Sequence, residues 1–332
     1  MALDGKVLVT GGAGYIGSHA VLALLDAGHE VVVIDNLVTG FAWAVDSRAT
    51  LVEANVADDD KVRATLKAHN VRAIMHFAGS VVVPESVSDP LKYYRNNTAA
   101  SRSLLESAVV CGVPHFIFSS TAATYGNPEN VPVAEGDPTV PINPYGMSKL
   151  MTEAMLRDTA AAHPINYAAL RYFNVAGADP LGRSGQSTVG ATHLIKIAVE
   201  AATGKRDHVS VFGTDFATPD GTGVRDYIHV SDLAAVHVAA LDRLVAEPTA
   251  SHTLNAGYGR GFSVLEVLDA VDRVTNRKLD RRLEGRRAGD PAALIADNRA
   301  ILEALAWRPA RDDLDTIVTD ALAWERKLGE RT

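Results

Sequence analysis

The sequence predicts an α/β fold, a doubly wound parallel sheet followed by a smaller C-terminal α/β domain. Three observations point there. Short β-branched runs alternate with helix-length segments through the first half; those runs are apolar at nearly every residue; and the rhythm breaks after about residue 175. Alternation of this kind indicates β-α-β crossovers, and near-continuous apolar strands belong in a parallel sheet covered by helices on both faces. A chain of 332 residues buries a core easily and has room for one large or two ordinary domains.

The expected strands are "KVLVT" (6–10), "EVVVID" (30–35), "TLVEAN" (50–55), "AIMHFAG" (73–79), "HFIFSS" (115–120) and "NYAALRYF" (166–173). Helical segments fall between them, among them "YIGSHAVLALLDAG", "DDDKVRATLKAHN" and "NNTAASRSLLESAVVCG". Beyond residue 175, "AGADPLGRSGQSTVGATH" and "FGTDFATPDGTGVRDY" read as long loops, which in a compact protein are functional or disordered. "VSDLAAVHVAALDRLV" and "SVLEVLDAVDRVTN" have amphipathic helical spacing. The expected division is residues 1–175 and 176–332, with a return to the first domain around 226–250.

Composition excludes several function classes. A net charge of −8 argues against nucleic acid or an anionic membrane as partner. The single cysteine, Cys111, rules out an intrachain disulfide or thiolate cluster and points to a reducing, cytoplasmic setting. "MALDGKVLVTGG" leads straight into a strand and has no signal-peptide pattern, and no apolar run approaches a membrane span. His19, His76, His115, His229 and His237 are scattered, so no metal site is expected.

The first chemistry lies in "VLVTGGAGYIGSHAVLALLDAGHEVVVIDN". Gly11, Gly14 and Gly17 follow a strand and open a helix, where a tight turn and close backbone approach let a pyrophosphate sit on the helix N-terminus. Asp35 ends the next strand, 18 residues beyond Gly17, where a carboxylate accepts hydrogen bonds from ribose hydroxyls. That carboxylate would repel a 2′-phosphate, so the expected cofactor is NAD rather than NADP.

The second constellation is "PINPYGMSKLMTE". Tyr145 and Lys149, at i and i+4, share one helix face, and Pro144 suits the first helical turn. A nearby ammonium, and a cationic nicotinamide, would favour phenolate and lower the tyrosine pKa. Thr121, in "FSSTAATYG" at the carboxyl end of a predicted strand, could relay a proton. Tyr-x-x-x-Lys alone is common; the glycine triplet and the strand hydroxyl make it specific.

With these motifs the sequence resembles, over nearly its whole length, the extended short-chain dehydrogenase/reductase superfamily. Within it, "TGGAGYIGSH", "HFAGSVVVPESVSDPLKYYRNNT", "FIFSSTAATYG", "LRYFNVAGADP" and "DGTGVRDYIHVSDLA" look like signatures of the UDP-glucose (UDP-galactose) 4-epimerases. The resemblance implies a Rossmann domain holding NAD, a C-terminal domain for a UDP-hexose substrate, and a homodimer. It makes Tyr145 the base for the sugar 4-hydroxyl, Lys149 its tuner and ribose ligand, and Thr121 the proton shuttle. Relatives that dehydrate or decarboxylate carry an acidic residue just after the strand hydroxyl; here Ala122 and Ala123 follow Thr121, which favours simple epimerisation through a 4-keto sugar.

The resemblance also assigns contacts. For NAD they are Gly11, Gly14, Tyr15, Ile16, Gly17, Asp35, Asn36, Asn55, Val56, Phe77, Ala78, Gly79, Asn96 and Phe173, with Tyr145 and Lys149. For the UDP-sugar they are Asn174, His193, Leu194, Arg225, Arg287, Asp290 and Leu294, with Thr121 and Tyr145, and Phe212 beside the uracil. Three positions depart from the family pattern. Asn55 replaces a frequent aspartate, Val81 a lysine directed at the cofactor phosphates, and His193 an asparagine. Leu294 stands where a tyrosine excludes N-acetylated sugars and a smaller residue admits them, so 4-epimerases of UDP-N-acetylhexosamines or UDP-pentoses are the alternatives. A non-catalytic nucleotide sensor of the same fold is a third reading, disfavoured by the Tyr/Lys pair.

Overall fold

The computed structural model describes residues 3–287 and 289–330. The first half builds β1 (Lys6–Thr10), α1 (Tyr15–Asp26), β2 (Val31–Asp35), β3 (Thr50–Glu53), α2 (Asp59–Ala68) and β4 (Val71–His76). Two short helices, α3 (Val83–Ser88) and α4 (Pro90–Tyr93), lead through a wide π-turn at Tyr94–Ala99 into α5 (Ala100–Val110). Then come β5 (His115–Thr121), α6 (Pro144–Ala162) and β6 (Asn166–Tyr172). The six strands fall where the apolar runs placed them. In the third helical stretch, the structure is already helical before Asn96, and a π-turn, a feature frequent at functional sites, occupies the residues read as its start.

The second half is built from shorter pieces. They are β7 (Asn174–Ala176), α7 (Leu194–Ala202), β8 (Val209–Phe212), β9 (Val224–His229), α8 (Val230–Ala246), β10 (His252–Ala256) and β11 (Gly261–Ser263). After these come α9 (Val264–Thr275), β12 (Arg281–Glu284), β13 (Ala293–Leu294), α10 (Arg299–Ala304) and α11 (Leu314–Gly329). Among the described residues no helix is long and apolar enough to cross a membrane.

Seven strands form one parallel sheet in the order β10-β6-β5-β4-β1-β2-β3. Successive β1 residues serve opposite faces: Val7 and Val9 pack with Val21 and Leu24 of α1 and Leu233, Val236 and Leu241 of α8. Leu8 packs on the other face with Val62 and Leu66 of α2 and Leu104 and Leu105 of α5. This is why the strands read as continuously apolar: both faces are covered. The chain returns to this sheet through α8 and β10, and Ile301, Leu305 and Trp307 near α10 join the same core. A separate core joins α7, β8, α9 and α11. Between them, β9 pairs with β7, β11 and β13.

Strand order reverses between β1 and β4, whose ends lie side by side with Thr10 in register with His76. Loops at the carboxyl ends diverge at such a switch point and leave a crevice. The glycine loop follows β1, Phe77–Gly79 follows β4, and Thr121 and Tyr172 end β5 and β6 in mutual register. The sheet therefore gathers the expected site residues at one edge.

Candidate active site

The glycine loop is built by exclusion of Cβ atoms. A Cβ on Gly17 would sit 2.1 Å from the Gly11 carbonyl oxygen, and one on Gly11 would sit 2.7 Å from the Ala78 nitrogen. Gly11 also has φ +71°, the left-handed region that glycine adopts without steric penalty. The loop after β1 and the loop after β4 thus touch backbone to backbone. Gly14 opens α1 without a side-chain cap, and the first turn has no acidic residue, so the amides of Tyr15, Ile16 and Gly17 and the positive end of the helix dipole remain available to an anion. Asp35 is buried; its two oxygens accept from the Ala13 N–H (3.0 Å) and the Leu37 N–H (2.8 Å). Each oxygen keeps a lone pair for a ribose hydroxyl. These features fit the diphosphate and ribose of NAD.

The other expected cofactor contacts are less uniform. Asn36 and Asn55 lie exposed on turns in which their side chains accept from Val38 N–H (3.2 Å) and Ala57 N–H (2.9 Å). Val56 packs into the core, and the Phe77 ring lies 4.7 Å from that of His237. Asn96, on the π-turn, donates to the Ser80 hydroxyl (3.1 Å). Its neighbour Asn97, absent from the sequence reading, is fully engaged. It accepts from Ser80 N–H (2.7 Å) and donates to Ser80 O (3.0 Å) and Ser148 Oγ (3.0 Å), tying the loop after β4 to α6.

α6 carries the expected acid–base groups. Asn143 caps it by accepting from Gly146 N–H (2.9 Å), and Pro144 occupies the first turn. Tyr145, Lys149 and Glu153 follow at intervals of four on one buried face. Lys149 Nζ donates to Ser119 O (2.8 Å), stands 4.9 Å from the Phe118 ring centre, and lies beside Gly79, where a Cβ would come to 4.0 Å. Glu153, a group the sequence did not single out, accepts from Arg171 through both oxygens (Nη2 at 2.6 Å) and from the Ser120 hydroxyl. Burial lowers the Lys149 ammonium to about 8, with Glu153 opposing the shift.

The expectation that Lys149 lowers the Tyr145 pKa fails for the protein on its own. Burial pushes the Tyr145 phenol above its ordinary value, and the Thr121 hydroxyl is the group that opposes the shift. The physical reason is desolvation: burial disfavours the charged phenolate, and the Thr121 hydroxyl offsets only part of that. Thr121 accepts from Ala123 N–H (3.2 Å), which leaves its own proton free to turn toward Tyr145. His76, behind Lys149, is held neutral, its pKa lowered to about 3 by burial and by the lysine charge.

The expected sugar-nucleotide residues fall into three groups. Asn174, His193 and Leu194 line an open cleft that reaches Tyr15, with Gln186, Tyr227 and Trp324 in its walls. Phe212 and Arg287 stack, the guanidinium 3.7 Å from the ring centre. Arg225 and Leu294 are register partners on β9 and β13, and burial lowers the Arg225 pKa while Asp290 works against the shift. Leu294 joins these groups to the base: it is buried in one apolar cluster with Phe173, Ala122 and Tyr125, next to Thr121. Phe173, expected on the cofactor, thus packs in the same cluster as Leu294. Gln186 and Trp324 carry no local motif; they reach the cleft only through the tertiary fold.

The match to known families follows this geometry. Residues 7–257 match the family model described as the NAD dependent epimerase/dehydratase family. The chain belongs to that family. Within this epimerase/dehydratase family, a UDP-glucose 4-epimerase of Azospirillum brasilense is 54% identical over 98% of this chain and 94% of its own length. The crystal structure of UDP-glucose 4-epimerase from Brucella ovis in complex with NAD is 44% identical, with TM-score 0.93 over 96% of this chain and 98% of that one. The UDP-Glc/GlcNAc 4-epimerase of Campylobacter jejuni is 46% identical, with TM-score 0.85 over 98% of this chain and all of that one.

Proposed function

We propose that the protein is an NAD-dependent isomerase that interconverts UDP-glucose and UDP-galactose by reversible oxidation at sugar C4. The observation that carries the reading is the shared buried face of α6, with Tyr145 beside Thr121 at the end of β5 and the glycine cradle across the switch point. NAD, held by the glycine loop and Asp35, would supply a reversible hydride acceptor for sugar C4. Tyr145 takes the 4-hydroxyl proton, directly or through the Thr121 hydroxyl, and restores it to the product. A general base works best with a pKa near the operating pH, so the raised phenol would be lowered toward that range by the positive charge an oxidised nicotinamide would bring. Ala122 and Ala123 offer no carboxyl group to expel a leaving group, which supports epimerisation over dehydration.

Arg225 and Arg287 serve the nucleotide diphosphate, whose oxygens a guanidinium fork matches, and Asp290 is a further contact to the UDP. Phe212, presently stacked on Arg287, is the flat apolar face for the uracil. His193, Leu194 and Asn174 line the cleft between. The reading also carries a homodimer in the cytoplasm. In support, Val87, Leu91 and Met151 are exposed on the neighbouring helices α3, α4 and α6.

Purified protein given UDP-galactose should form UDP-glucose without added NADH, and absence of interconversion in either direction overturns the proposal. Tyr145→Phe should lower turnover about a thousand-fold, within the range for a lost general base, while NAD stays bound. A second reading, turnover of UDP-N-acetylhexosamines as well, draws on Leu294, intermediate in size and packed with Ala122, Tyr125 and Phe173. Comparing UDP-galactose with UDP-N-acetylgalactosamine separates the two.

A further inference from the structure

Three segments remote in sequence meet on the outer side of the glycine loop. The end of β2 and the loop after it are both tied to Ala13: Asp35 accepts from Ala13 N–H (3.0 Å), and Phe41 N–H in the loop donates to Ala13 O (2.9 Å). Trp43, in a short 3₁₀ turn of that loop, lies 5.2 Å from the Phe41 ring and 6.1 Å from the Trp324 ring of α11, tilted 28° from the latter. The third segment is the strap of residues 177–193. Its Gly185 lies flat on Trp324, where a Cβ would come to 2.3 Å from Cγ, and its Ser187 hydroxyl accepts from the indole Nε1–H (3.2 Å). At the outer edge Arg183 bonds Asp179 and also Asp26 at the end of α1, while Arg48 pairs with the other oxygen of Asp26. The segments border a small open pocket at the N-terminus of α1, walled by Gly14 and Tyr15, Thr39 and Phe41, Ser187 and Thr188.

We infer that Phe41, Trp43 and Trp324 form an aromatic clasp that retains the dinucleotide. This rests on the reading of NAD as the resident cofactor. The loop carrying Asn36 is the outer wall of the expected adenosine site, and between Asp35 and β3 its only regular structure among the described residues is the 3₁₀ turn with Trp43. Leaving the site requires this loop to lift from Ala13, and lifting it unstacks Trp43 from the C-terminal helix. Stacked aromatic pairs resist separation beyond the area they bury. A clasp of this kind suits a redox-neutral reaction, since the cofactor ends each turnover in the state in which it began and need not exchange. Val81, exposed beyond Gly79, offers the diphosphate no charge, so retention falls to contacts elsewhere. Trp43 and Trp324 are positioning residues, since neither is placed on the reacting atoms.

The test is release of NAD from the full chain. Wild type and Trp43→Ala are loaded with NAD, desalted, and followed for bound dinucleotide by extraction and for dissociation by dilution. Trp43 is 45% exposed, so truncation leaves the main cores intact. The alanine variant should release NAD about ten-fold faster, what one aromatic pair can supply. Turnover with saturating added NAD should match wild type, and Trp43→Phe should restore retention. If Trp43→Ala yields no folded protein, Trp43→Leu keeps apolar cover without the indole face and should release NAD faster in the same way. Release at the wild-type rate in a folded variant overturns the clasp. A wild-type chain that never holds NAD overturns the cofactor reading as well and is told apart by that first measurement.

Discussion

The two sides of the cleft are held by different physical means. On the nucleotide side the structure works through backbone: Gly17 meets the Gly11 carbonyl, Gly11 meets Ala78, and α1 begins with uncapped amides. On the proposed sugar-nucleotide side it works through single side chains from short elements: Arg225 from β9, Arg287 and Asp290 from the loop beyond β12, and His193 from the end of the strap. Backbone placed by exclusion has nothing to rotate and binds whatever carries a diphosphate. Side chains on short strands and loops can be exchanged singly, so the family can keep its cofactor while its substrate varies.

Gly17→Ala attacks the first side where no adjustment is available. The added methyl strikes backbone, so the substitution should cost about 3 kcal/mol of stability, at the upper end for overpacking, and abolish NAD retention. Calorimetry and extracted dinucleotide measure the two effects. A variant that keeps both would break the comparison.

Lys149 sharpens it from the other side, because a buried cation carries a desolvation penalty. Its folded pKa of about 8 lies below the ordinary 10.5, so between those values the unfolded chain binds more protons than the native one. Stability from this group therefore rises as pH increases through that window, and the penalty is complete below about 8. Lys149→Met in the NAD-free protein should gain about 3 kcal/mol over wild type at pH 7, and the gap should close by about pH 10.5. Urea unfolding of both proteins across that range checks it, and a gap independent of pH would be contrary.

Arg225→Ala gives the smallest effect. Losing one charge-assisted contact to the diphosphate should raise KM for the UDP-sugar about 10- to 50-fold, with kcat and NAD content nearly unchanged. Initial rates over a range of UDP-galactose concentrations resolve the split. A fall in kcat alone would move Arg225 out of the binding role.

The same contrast explains what could be read from the sequence. β1, β2, β4 and β5 were legible because continuous apolar runs mark a doubly covered sheet, and the glycine loop because the constraint on each glycine is local. β10, "HTLNA", was not legible as a strand, since an edge position needs few apolar residues and Asn255 bonds Tyr125 and Val133 instead. Tyr145 and Lys149 were visible through their spacing, but the direction of the Tyr145 shift depends on burial, which no motif records. Glu153 stood in the same quoted stretch and gave no sign of its role, because its partner Arg171 lies on another element. Asn97 was hidden by its neighbour: which of two adjacent asparagines faces inward depends on the π-turn. Trp43 and Trp324 meet across nearly the whole chain, a pairing that only the fold creates.

The single face of α6 has a further consequence. Tyr145, Lys149 and Glu153 are mounted on one rod, so bending or sliding of α6 moves base, cation and carboxylate together and preserves their spacing. The arrangement tolerates translation but not a change of phase. One residue inserted between Tyr145 and Lys149 would swing everything beyond it about 100° around the axis, turning the ammonium out of its recess. The same insertion beyond Leu156 would leave all three in place. The helix is thus a ruler with a fixed zero at its Asn143 cap, and the chemistry is written within its first ten residues.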